Sequence, residues 1–162
     1  MKKALVPGSF DPITKGHLAV IKKAASMFDK VYVTVMQNEA KKYLFDIKER
    51  EELVRTAVAG IRNVVADVWE GQLWQYAEKK GVCAIVKGVR NGEDAEYEIG
   101  MAEYNKSRYG GAETVLLPAD KELRGVSSTL VRELAAHGED VSAYVDENTE
   151  KALKQKYRRI GK

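Results

Sequence analysis

The residues best suited to chemistry stand first in the string Pro7-Gly8-Ser9-Phe10-Asp11-Pro12-Ile13-Thr14-Lys15-Gly16-His17. Gly8 and Gly16 let the backbone come close to a ligand. Ser9 offers a hydroxyl beside backbone N–H groups. His17 falls at the start of a helical pattern, where free N–H groups and the helix dipole favour a phosphate. Two more stretches carry compatible chemistry. Lys87-Gly88-Val89-Arg90 places two cations around a glycine, and Val126-Ser127-Ser128-Thr129-Leu130-Val131-Arg132 opens a helix with three hydroxyls. Such hydroxyls cap a helix and meet a phosphate equally well. The string is neither a P-loop nor Gly-x-Gly-x-x-Gly, which argues against kinase and dehydrogenase chemistry.

These stretches need a scaffold that brings them together. Apolar β-branched runs at 4–6, 31–36, 64–68, 84–86 and 114–117 predict strands, and amphipathic stretches at 17–27, 47–59, 73–80, 95–104, 128–137 and 148–157 predict helices. Strand and helix alternating at this spacing implies βαβ crossovers. The expected fold is therefore α/β: a Rossmann-like, doubly wound, five-stranded and mainly parallel sheet with helices on both faces, in one domain over 1–162. Asp46 with Glu49 predicts a capping box, and Gly60, Gly81 and Gly138 stand where helices should end. Ligands of such sheets sit beyond the carboxyl ends of the strands, which is where all three chemical stretches fall.

The first string, read as Thr14-Lys15-Gly16-His17 with Pro-Gly-Ser-Phe-Asp-Pro before it, resembles the nucleotidyltransferase superfamily with a (His/Thr)-x-Gly-His motif. Its Thr form is similar to the bacterial phosphopantetheine adenylyltransferases. Lys87–Arg90 followed by Glu96-Tyr97-Glu98, and then the Ser-Ser-Thr stretch, continue the resemblance in the family's order through nearly the whole chain. The resemblance implies transfer of the adenylyl group of ATP to 4′-phosphopantetheine, giving dephospho-coenzyme A and pyrophosphate by direct in-line displacement. Such a reaction builds charge on the α-phosphate and on the leaving pyrophosphate, so it needs positioning and cationic clamps.

Carried over residue by residue, the resemblance makes His17, Lys41 and Arg90 catalytic. It assigns Ser9, Lys41, Leu73 and Lys87 to phosphopantetheine. It assigns Ser9, Phe10, His17, Gly88, Val89, Arg90, Glu98, Leu123, Arg124, Gly125, Val126, Ser127, Ser128 and Thr129 to ATP. Lys41 rises above an ordinary solvated loop lysine only through this resemblance, and Glu98 above an otherwise solvated face of Glu93, Asp94 and Glu96 in the same way. The resemblance also implies Mg²⁺ with ATP and a homo-oligomer, a hexamer in this family. Three positions depart from the usual pattern. Ser9 stands for the commoner Thr and keeps the hydroxyl. Lys87 stands for the commoner Arg and keeps the charge without the bidentate fork. Leu123-Arg124-Gly125 lacks an aromatic residue. Adenylyltransferases acting on nicotinamide mononucleotide, and cytidylyltransferases, usually carry His where this chain has Thr14. A non-catalytic nucleotide-binding regulator is expected to have lost His17, Lys41 or Arg90.

Composition narrows the setting. The chain has 162 residues, 44% hydrophobic and 31% charged, the balance of a water-soluble domain with a sizeable core. No apolar run reaches the roughly 20 residues of a membrane span, and the start is too short in apolar residues for a signal peptide. With one cysteine, Cys83, no internal disulfide forms, so a cytoplasmic setting is expected; Cys83 itself reads as a small buried hydrophobe. Net charge is +3, but 151–162 holds six cations and no acid; removing those six leaves the body at −3. That tail reads as a solvated helix end, so neither nucleic acid nor a membrane is an expected partner. No metal-ligating cluster is apparent.

Overall fold

The computed structural model describes residues 1–161; of the basic tail, only Lys162 lies outside them. Five strands, β1 (Lys3–Gly8), β2 (Lys30–Met36), β3 (Val64–Trp69), β4 (Ala84–Val89) and β5 (Glu113–Pro118), form one sheet in the order β3-β2-β1-β4-β5. Every pairing is parallel, which requires a crossover after each strand. These carry α1 (Lys15–Met27), α2 (Ile47–Val58), α3 (Leu73–Lys80) and α4 (Gly92–Arg108), with α5 (Ser128–Ala136) and α6 (Glu147–Ile160) following the last strand.

β1 is apolar on both sides because it is central. Ala4 and Val6 join the larger core with Ile21, Val54, Val131 and Leu153, whereas Leu5 points the other way, to Tyr32, Tyr76 and Ile85. Thus α1, α2, α5 and α6 cover one face and α3 the other, as expected of a doubly wound sheet. The order reverses between β1 and β4, and these two strands also part early. They pair at Ala4–Ala84 and Leu5–Ile85, whereas β1 and β2 stay in register from Lys3–Lys30 to Gly8–Val35. The sheet therefore opens a crevice at its carboxyl edge, at the switch point where such folds bind ligands.

Local signals account for the helix ends. Asp46 accepts from Glu49 N–H while the Glu49 carboxylate accepts from Asp46 N–H, the predicted capping box. Gly81 ends α3 at φ +62°, a conformation that glycine adopts without strain. Two expectations need correcting. α4 begins three residues before the predicted 95, because Asn91 caps it by accepting from Asp94 N–H. Cys83 is exposed, not buried. It lies just before β4, between Val82 and Ala84, which pack into the cores on opposite faces of the sheet, and its side chain stays at the surface with Sγ 3.4 Å from the Lys3 carbonyl.

Candidate active site

The crevice is a cleft of about 460 Å³. Its floor is the carboxyl ends of β1 (Val6, Pro7, Gly8) and β4 (Val86, Lys87, Gly88). Its walls are the first turn of α1, the start of α4, and the segment leading into α5. Gly88 lets α1 lie close on β4: a Cβ there would stand 2.6 Å from the Val20 methyl. Helix α1 is thereby fixed against the strand that carries Lys87.

His17 is the third residue of α1, and Thr14 is the N-cap. Thr14 Oγ1 accepts from His17 N–H at 3.3 Å, and His17 Nδ1 accepts from Thr14 N–H at 3.0 Å. An Nδ1 that accepts a backbone proton is unprotonated, so the ring carries its proton on Nε2. Burial, then the neighbouring Lys87 and Arg90 charges, lower the imidazole pKa from 6.5 to about 4. At neutral pH the ring is an uncharged donor, steadied by the edge of Phe10 at a 5.0 Å centroid distance.

Cations frame this donor. Lys87 Nζ lies 3.4 Å from Glu98 Oε1. Arg90 is held by Asp94, whose Oδ2 accepts from Arg90 N–H at 3.0 Å and from Nε–H at 3.1 Å. Burial works against ionisation of Asp94, but these bonds outweigh it and keep its carboxyl below the usual range. On the opposite wall, Ser127 caps α5 by accepting from Leu130 N–H, and the Ser128 hydroxyl donates to Pro12 O at 2.8 Å. The Ser128 proton is thus spent on Pro12, whereas Ser127 only accepts and keeps its own O–H to donate. This wall therefore offers an anion the Ser127 hydroxyl and the unsatisfied N–H groups of a helix start.

Of the residues singled out in the sequence, Phe10, His17, Lys87, Gly88, Arg90, Glu98, Leu123, Val126, Ser127 and Ser128 line the cleft together. Val89, Arg124, Gly125 and Thr129 belong to the same segments but stay off its lining. Ser9, Lys41 and Leu73 also lie off it, in the connections after β1 and β2 and at the start of α3. Lys41 is exposed in a turn whose backbone bonds to Asn38, and Leu73 rests on the cluster around Tyr76. Glu93 and Asp94, read as solvated, line the cleft. The four-residue spacing of Arg90 and Asp94 on a helix entry was the available signal.

Two buried residues were missed altogether. The Asp11 carboxylate accepts from the N–H groups of Leu44 (2.9 Å) and Phe45 (3.0 Å), while Arg132 Nη1 donates to the Asp11 carbonyl at 2.7 Å. Arg50 is fully buried in α2. It occupies the slot one turn before the Leu53–Val54 apolar stripe, which periodicity could have flagged. Burial lowers its pKa, and the nearby Tyr43, Asp11 and Asp46 push the other way.

Comparison with known proteins places this geometry. Residues 5–134 match the cytidylyltransferase-like family. A Pseudarthrobacter chlorophenolicus protein named phosphopantetheine adenylyltransferase is 47% identical over 146 residues, 90% of this chain and 87% of its own. One of the same name from Shouchella clausii is 40% identical over 159 residues, 98% of this chain and 100% of its own. The crystal structure of a candidate nicotinate-nucleotide adenylyltransferase from Vibrio parahaemolyticus superposes with a TM-score of 0.72 at 21% identity. It covers 98% of this chain and 96% of that one, a likeness of fold alone.

Proposed function

We infer the reaction from an established premise: the chain belongs to the phosphopantetheine adenylyltransferase family, within the cytidylyltransferase-like nucleotidyltransferases. It is an enzyme that transfers the adenylyl group of ATP to 4′-phosphopantetheine, giving dephospho-coenzyme A and pyrophosphate in coenzyme A biosynthesis. The observation that carries the mechanism is the neutral His17, its Nε2 proton free beside Lys87 and Arg90. An uncharged donor strengthens its bond to the α-phosphate as charge grows there, without handing over a proton.

In this reading an oxygen of the acceptor phosphate attacks the α-phosphorus in line. A new P–O bond forms, the bond to the bridging oxygen breaks, and its electron pair leaves on pyrophosphate. His17 and Arg90 hold the α-phosphate. The start of α5, with 123–129, takes the β- and γ-phosphates. Lys87, on the strand between the two substrates, steadies the acceptor phosphate with Lys41, and Ser9 touches both. Leu73 lines the pantetheine arm. Among the described residues, no group of three or more His, Cys, Asp or Glu is placed to hold a metal. Mg²⁺ would therefore arrive on ATP, neutralising its phosphates with phosphate and water oxygens as ligands.

The chain is also proposed to assemble with copies of itself, as a hexamer. The exposed Tyr97, Ile99, Met101 and Tyr104 of α4 support an apolar contact there. Among the described residues no helix is long and apolar enough to cross a membrane, and a cytoplasmic enzyme supplied with ATP is the setting proposed. The test is an assay with Mg²⁺, ATP and 4′-phosphopantetheine, watching pyrophosphate and dephospho-coenzyme A. Turnover of nicotinamide mononucleotide with none of phosphopantetheine would sink the reading.

A further inference from the structure

Arg50 is a fully buried cation that makes no ion pair among the described residues. Its fork is spent on uncharged oxygens: Nη1 donates to Ser9 O at 2.9 Å and Met36 O at 3.1 Å, Nε to Phe45 O at 3.2 Å, and Nη2 to the Gln37 side-chain oxygen. The Tyr43 ring lies 3.8 Å from the guanidinium carbon, and Tyr43 OH in turn accepts from Asn38 N–H. An apolar side chain of similar volume would pack α2 without the desolvation that a buried charge costs. What it could not do is reach three chain segments at once. Those segments are the loop after β1, at Ser9; the end of β2, at Met36 and Gln37; and the entry to α2, at Tyr43 and Phe45. The second and third flank the turn that bears Lys41.

We propose that Arg50 is a positioning residue for the transfer, fixing the Lys41 turn to the Ser9 loop so that the acceptor phosphate meets its cation in line with ATP. This rests on the reading of Lys41 and Ser9 given above. Asp11 holds the same turn from the other side through Leu44 and Phe45, so the turn is fixed at its far end even when Arg50 is altered. Arg50 acts through Lys41 and touches neither substrate.

The test compares the full chain with Arg50→Lys, Lys41→Ala and the double variant. Arg50→Lys keeps the charge and loses the planar fork. It should lower kcat/KM for phosphopantetheine about tenfold and leave the KM for ATP within about threefold, because Arg50 reaches the nucleotide side only through the Ser9 carbonyl, while His17, Arg90 and the start of α5 are held without it. In the double variant the loss should match Lys41→Ala alone within about twofold, the mark of two groups acting as one unit. Amide hydrogen exchange over 37–46 should quicken about tenfold in Arg50→Lys, with 123–132 unchanged. Losses that multiply in the double variant, equal losses for both substrates, or unchanged exchange would each overturn the proposal. The exchange arm reads Arg50 whatever acceptor the enzyme takes, so an inactive wild-type chain would count against the reaction and not against this residue. If Arg50→Lys fails to fold, Tyr43→Leu removes the stacked ring instead. It should give the same kinetic split at about threefold, and wild-type values there would also overturn the idea.

Discussion

The two sides of the switch point are built by different means. On the β4 side, the groups that line the cleft are presented by regular elements: Lys87, between the two substrates, by a strand, and the ATP-facing His17 by the first turn of α1 and Ser127 and Ser128 by the start of α5. Their charges are arranged across open space. On the β2 side, the acceptor residue Lys41 sits in an irregular turn, and order there comes from beneath, through Asp11 and Arg50 bonded to backbone. The difference teaches where substitutions should register. On the nucleotide side they should alter rate with little effect on folding. Under the acceptor turn they should alter folding and rate together.

The largest expected effect tests the first half. His17→Ala should lower kcat by roughly 100-fold, the scale of one lost transition-state donor. Because His17 is also half of a capping box, the variant should lose about 1 kcal/mol of stability in a denaturant titration. An unaltered kcat in the folded variant would remove His17 from the chemistry. Asp11→Ala tests the other half. It orphans two N–H groups in and beside the core, at a cost of about 2–4 kcal/mol, and should show as a clear drop in Tm together with lost activity. Wild-type stability would break the contrast between the two sides.

Lys87→Ala stands between them. It should raise the KM for phosphopantetheine by roughly 10-fold, with that for ATP moving much less and Lys87→Arg staying active. A weakening of ATP alone would move Lys87 wholly to the nucleotide side. The smallest effect is in pH. With His17 at about 4 in the fold and 6.5 unfolded, its share of stability is present above pH 6.5. That share is lost as pH falls towards 4, because the unfolded chain takes up the proton first. The His17 ring should therefore stay neutral from pH 6 to 8 by NMR, and a midpoint near 6.5 in the folded enzyme would contradict its placement.

Much of this was legible in the chain. Apolar runs set the five strands, and the residues after β1, β4 and β5 fall together because a parallel sheet gathers its carboxyl ends at one edge. What stayed hidden is mostly burial of polar groups. Arg50 and Asp11 look like surface residues in a sequence, since nothing local shows that backbone carbonyls and amides from distant segments will satisfy them. Asp94 was misjudged for the related reason that α4 starts at Gly92, so its first turn reaches the cleft, while Glu93 borders the same cleft and is exposed as read. Cys83 was misjudged because it stands next to an apolar run but one residue before β4 begins, outside the part of the strand that both cores cover.

Gly88 carries a longer consequence. With no atom between β4 and Val20, helix and strand meet like two machined parts without a shim, and the spacing from His17 to Lys87 inherits the tolerance of that backbone contact. An alanine there is a spacer of one carbon. It would leave every chemical group in place and still detune the distance between them.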